Sequence, residues 1–145
     1  MAKLLIPTFG YMVLTMVLGM AWNLFIFQDL YADMAKFAYR PEFIMPLGIA
    51  AMFAEGAALS ALFKLFYNTN VHSLRHGVLL GLLTGTLSMS YAALVVPAKF
   101  VIAPVWQYVS LELLFGVFHY GLAGLGFAVF FRYGNDQSQA IDSQL

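Results

Sequence analysis

The chain has 145 residues, 62% hydrophobic and 10% charged, with zero net charge and no cysteine. A soluble domain carries about 25% charged residues, so this composition and a mean hydropathy of +0.82 exclude a surface solvated by water. The neutral balance excludes a basic face for nucleic acid or anionic headgroups, and the lack of cysteine excludes disulfides, thiolate metal sites and thiol nucleophiles.

A helix rising about 1.5 Å per residue needs about 20 apolar residues to cross a hydrocarbon core of about 30 Å. Four runs meet that length: 4–27, 43–67, 77–97 and 104–131. The first follows Lys3, and Gly19-Met20-Ala21 loosely fits a signal-peptide cleavage site. The apolar run continues through Trp22 to Phe27, however, beyond the usual length of a signal h-region, so it is read as a span.

The first connection, Gln28 to Glu42, is the longest and most polar. Leu30, Met34, Phe37 and Ala38 recur in it at helical spacing, which predicts a short helix lying in the interface. Arg40-Pro41-Glu42 then opens the second span, with Pro placed where no helical hydrogen bond is lost and Glu42 at the positive helix end. The second connection, Asn68 to His76, is polar. Its His72 and His76 are four apart but lack the intervening Glu of a zinc helix, so no metal site is expected. The third connection, Ala98 to Ala103, is very short. The chain therefore reads as one membrane domain over 1–133, followed by a polar tail, 134–145, expected to be disordered. Trp22, Tyr31, Tyr39, Tyr67, Trp106, Tyr108 and Tyr133 fall near span ends, where aromatic belts form.

The fold class implied is all-α, a bundle of four transmembrane helices. Leu18-Gly19-Met20-Ala21-Trp22 aligns with Leu87-Ser88-Met89-Ser90-Tyr91, and Phe53-Ala54-Glu55-Gly56 with Phe118-His119-Tyr120-Gly121. This pattern suggests two tandem helical hairpins related by a pseudo-two-fold axis along the membrane normal. Lys3, Lys64, Arg75 and Arg132 lie on the side of the termini, which the positive-inside rule assigns by a thin margin to the cytoplasm. The expected location is a bacterial inner membrane, spanned several times.

Each span carries a polar or small stripe: Tyr11, Thr15, Gly19 and Asn23; Gly48, Ala51, Glu55 and Ala58; Gly77, Gly81, Thr84, Gly85, Ser88 and Ala92; Glu112, Gly116, His119, Ala123 and Gly126. Small residues let helix backbones approach in lipid, so the stripes should face one another. Gly77, Gly81, Gly85 and Gly116 are the expected packing positions. Glu55 lies about 18 Å below the first-loop surface and His119 at a similar depth. An ionised carboxylate there costs about 2.5–3.5 kcal/mol on insertion scales, so a protonated or paired state is expected and the residue is a functional candidate by default. The candidate intramembrane polar site is Glu55, His119, Glu112 and Asn23. The alternative for these groups is interhelical glue. Neither Glu55 nor Glu112 has a His three residues on, which argues against a di-iron bundle. No nucleophile elbow, phosphate loop or dinucleotide fingerprint is present.

Leu18-Gly19-Met20-Ala21-Trp22-Asn23-Leu24-Phe25, Arg40-Pro41-Glu42 and the Gly-rich run Gly77 to Gly85 resemble small bacterial four-span membrane proteins of unknown function. The resemblance implies fold and location, and no activity, cofactor or catalytic residue.

The leading functional expectation is a small, non-enzymatic accessory protein that packs through its helix faces against copies of itself or a larger membrane complex. The alternative is a small-solute or proton-coupled carrier built on the Glu/His site. A second alternative is a membrane enzyme acting on an amphiphilic substrate, with Glu55 or Glu112 as base. The lipid bilayer is the expected partner; no cofactor, metal, catalytic residue or nucleic acid is expected.

Overall fold

The computed structural model describes residues 2–34, 44–67 and 73–142. Lys36, Phe37, Ala38, Tyr39, Arg40, Pro41 and Glu42, and likewise Asn68, Asn70 and His72, lie outside the described residues, and the expectations for them stay there.

Among the described residues six α-helices run in chain order: α1 Ala2–Met20, α2 Gln28–Met34, α3 Met45–Phe66, α4 Leu74–Ser90, α5 Val96–Lys99 and α6 Val105–Asp142. Two π-helical segments, Ala21–Ile26 and Tyr91–Val95, prolong α1 and α4. Four stretches are long and apolar enough to cross a membrane: Leu4–Ile26, Met45–Phe66, Leu74–Lys99 and Val105–Tyr133. The protein is thus an all-α, four-helix membrane bundle, with span ends within three residues of those read from the sequence. The third span starts earlier than expected because Ser73 forms a reciprocal capping box with His76, which satisfies backbone groups at the helix start. The polar segment from Gly134, expected to be disordered, continues α6 to Asp142. Extending a formed helix gains one hydrogen bond per residue fixed, so propagation outruns composition there.

Neighbouring spans pair antiparallel. In the first hairpin Thr8 bonds Ser60 at 3.0 Å, and Gly56 lies against Tyr11 and Thr8. In the second, Gly77 meets Gly124 and Ala128, Gly81 meets Tyr120 and Gly124, and Gly85 meets the Tyr120 ring. Gly116 completes the seam against Met89. A Cβ at Gly81 would stand 2.8 Å from the Gly124 Cα, and one at Gly116 would stand 2.6 Å from the Met89 Cγ. All four glycines named from the sequence therefore serve close approach of helices within one chain.

The hairpins join mainly through α6, which packs on α1, α3 and α4, while α3 and α4 touch each other sparingly. The main core is Tyr11, Leu59, Phe63, Tyr67, Met89, Tyr120, Ala123, Phe127 and Ala128. Phe63 and Phe127 stack with ring centres 4.9 Å apart. A second cluster, Tyr31, Met34, Ile102 and Tyr108, closes the end of the bundle that carries the first and third connections. Ala103 N donates to Met34 O at 3.1 Å and ties those connections together.

Three expectations need correction. The inward face of α3 is Gly56, Leu59, Ser60 and Phe63, whereas Ala51 and Ala58 are not part of it. Filling the core around Phe63 and bonding Ser60 to Thr8 outweighs the approach that a small-residue face allows. The aromatic belt is only partial: Trp106 is 77% exposed, but Tyr31, Tyr67 and Tyr108 are buried. A tyrosine near a span end can bury its ring and still satisfy its hydroxyl, as Tyr67 does by donating to Ser73 O at 3.1 Å. In α2, Tyr31 and Met34 face the protein while Leu30 is exposed.

Candidate functional site

One polar cluster sits at mid-depth, and every span contributes to it. Glu55 is the eleventh of 22 residues in its span, Thr15 the twelfth of 23, and Ser88 the fifteenth of 26. His119 is the fifteenth of 29, with Tyr120 beside it. The helical repeat of α1 places Tyr11 one turn from Thr15 on the same face.

Glu55 is half-buried on α3. Its Oε1 accepts a hydrogen bond from Ser88 Oγ of α4 at 2.8 Å and a second from the Tyr120 hydroxyl of α6. The carboxylate thus ties α3 to α4 across the flank where those helices scarcely touch. Ser88 itself is exposed on that flank. His119 is 3% exposed. Its Nε2 is 2.8 Å from Thr15 Oγ1. Its ring stacks on Phe115 at 5.3 Å and lies 5.3 Å from the Tyr11 ring and 4.8 Å from the Tyr120 ring. Tyr11 is 2% exposed, and its hydroxyl has no hydrogen-bond partner among the described residues. Glu55, Tyr120 and Thr15 are its polar neighbours.

The structure therefore brings Glu55 and His119 into one cluster but bridges them through Tyr11, Tyr120 and Thr15 rather than by a direct bond. Glu112 lies elsewhere. Its Oε1 accepts from the Tyr31 hydroxyl at 2.8 Å, and that hydroxyl accepts from Trp22 Nε1 at 3.1 Å. This second polar group belongs to the cap where α2 meets α6. Asn23 joins neither cluster; its side-chain amide donates to Gly19 O of its own helix at 3.0 Å. The expected four-residue stripe on the first span fails there because the π segment starts at Ala21. Its i→i+5 bonding, visible in Phe27 N to Trp22 O, adds a residue to the turn and rotates the last residues of the span. Trp22, not Asn23, then packs towards Phe115 and Phe118.

Tyr120 is a member of the site that the polar and small stripes did not include. One signal in the sequence marks it: Phe118-His119-Tyr120 aligns with Phe53-Ala54-Glu55, which makes Tyr120 the counterpart of Glu55. The described residues hold no group of three or more His, Cys, Asp or Glu placed to share a metal ion.

No family model, curated protein or solved structure matches this chain.

Proposed function

We propose that the protein is a small-solute carrier of a bacterial inner membrane, with both termini cytoplasmic and Glu55 as its protonatable working group. The observation that carries this reading is convergence. Tyr11 and Thr15, Glu55, Ser88, and His119 with Tyr120 come from four different spans and meet midway across the bundle. Interhelical hydrogen bonds in membranes average about 0.6 kcal/mol, so pairwise glue is a small return for placing an acid at that depth. Coupling sites of carriers belong near the midplane, where a change of charge state acts on all surrounding helices. The glycine face, which an accessory protein would present to a partner, is instead used inside the chain.

The test is uptake of a panel of radiolabelled amino acids, sugars and organic acids into vesicles containing the purified protein. At least one solute should accumulate above empty vesicles, and Glu55→Gln should abolish this while keeping its melting temperature. Uptake of no member, or uptake that Glu55→Gln retains, overturns the reading.

A second reading, assembly with another copy or a larger membrane complex, is favoured by one observation. A groove of about 350 Å³ between α1 and α6 is lined by Gly10, Tyr11, Leu14, Ala123, Gly126 and Phe127. Gly10 and Gly126 have open space where a side chain would stand. Mass measurement of the protein in lipid nanodiscs tests it: a single copy that captures no partner argues against this reading.

A further inference from the structure

We infer that the cluster around Glu55 is a binding site for one monovalent cation, Na⁺. The inference rests on the carrier reading in one respect only, that the cluster is a working site, and it names the ion.

The first observation is the Tyr11 hydroxyl. It is buried, has no hydrogen-bond partner among the described residues, and has Glu55, Thr15 and Tyr120 as its polar neighbours. A buried hydroxyl left unpaired costs free energy, and such groups are rare in folded proteins. A cation lodged among these oxygens takes the lone pair of this hydroxyl, while its O–H turns to Glu55 or Thr15. The second observation is the uneven use of the carboxylate. Ser88 and Tyr120 both donate to Oε1 of Glu55, and the Tyr11 hydroxyl faces the same carboxylate.

The donor set decides the class. Tyr11, Thr15, Ser88 and Tyr120 offer hydroxyl oxygens and Glu55 a carboxylate, and hard cations take oxygen ligands. There is one carboxylate in the set. A monovalent ion makes the site neutral, whereas a divalent ion leaves a net positive charge at mid-membrane, where charge is expensive. Tyr11, His119 and Tyr120 face the ion's position. His119 already holds Thr15 through Nε2 and helps to fix that oxygen in place.

The experiment is a melting series of the purified protein in detergent at slightly alkaline pH. NaCl replaces choline chloride at constant ionic strength, and scintillation proximity binding of radioactive Na⁺ is measured in parallel. A ligand that binds only the folded state raises Tm with concentration. The expected result is a rise of about 5 °C at saturating Na⁺, with bound radioactive Na⁺ displaced by unlabelled Na⁺. Tyr11→Phe removes an unpaired hydroxyl, so it should melt no lower than the parent in choline and lose most of the Na⁺ response. Glu55→Gln should lose all of it. Equal Tm in Na⁺ and choline with no retained radioactive Na⁺ overturns the proposal, as does a full Na⁺ response in Tyr11→Phe. A Tm that follows pH but ignores Na⁺ also overturns it, and assigns the site to the proton alone. Solute uptake through Glu55 without Na⁺ binding would leave the carrier reading standing, whereas Na⁺ binding without uptake of any solute would remove that reading and keep the ion site.

Discussion

Glu55 on α3 and Tyr120 on α6 bond to each other across the two hairpins, with the Tyr120 hydroxyl donating to the Glu55 carboxylate. Together with the Ser88 bond to the same carboxylate it links the two hairpins.

Tyr120→Phe should therefore lower stability by about 1 kcal/mol. The ring keeps its packing against Gly85 while Glu55 keeps only Ser88 as a donor. Combining it with Glu55→Gln should cost less than the sum of the two single changes, since they share one bond. Melting of the two single variants and the double variant in one detergent checks this. Strict additivity would show that the bond contributes nothing.

The glycine seam gives a sharper contrast. Gly81→Leu and Gly85→Leu should each destabilise by about 1–3 kcal/mol, because the added side chains meet the Gly124 backbone and the Tyr120 ring. Gly10→Ala and Gly126→Ala should be close to neutral, as nothing stands within 4 Å of the added atom. Thermal unfolding of the four variants orders them. A tolerated Gly81→Leu would mean that α4 and α6 are further apart than described.

In the cap, Tyr31→Phe should leave both the Trp22 indole N–H and the Glu112 carboxylate without their shared hydroxyl. The expected cost is about 1–2 kcal/mol. The fluorescence of Trp22 should change with it, while Trp106, which is exposed, should report little. Trp106→Phe in the same background isolates the Trp22 signal. Unchanged Trp22 emission would contradict the bonded arrangement.

Four spans require that reporters fused at the two ends give the same compartment, the cytoplasm by the basic bias. Reporters on opposite sides would be incompatible with an even number of crossings. Cysteine substitution of this cysteine-free chain adds a finer check. A label at Phe63 should resist lipid-phase quenchers, whereas one at Leu87 should not, since Phe63 is fully buried and Leu87 is 78% exposed.

Span number, span ends and the Gly77-Gly81-Gly85 face are legible from apolar run length and helical spacing, because lipid leaves the backbone few choices. The site is only half visible. Glu55 and His119 stand out as ionisable residues in apolar runs, but Tyr120 counts as aromatic in any hydropathy reading, and only its hydroxyl matters here. Grouping Asn23 and Glu112 with Glu55 assumes an uninterrupted 3.6-residue period. For Asn23 the assumption breaks at Ala21, where the helix widens. For Glu112 the period holds, but seven residues along α6 carry it to the cap, where Tyr31 reaches it first.

The two widened turns sit at matching places. Ile26 and Val95, their last residues, are separated by the same interval as Trp22 and Tyr91 of the aligned halves. A π turn behaves as one residue inserted into an α-helix. Deleting one residue from Tyr91–Val95 should let an ordinary α-helix run from Leu74 to Lys99, without shortening the crossing by more than about 1.5 Å. Everything beyond the deletion would be turned by about 100°. Ile102 would leave Tyr31 and Tyr108, and Ala103 would lose Met34. The seam from Gly77 to Met89 precedes the deletion and would stay closed. A hairpin can thus keep its grip along the membrane while its far end is dialled to a new heading, and in each half of this chain that heading is held by a single extra residue.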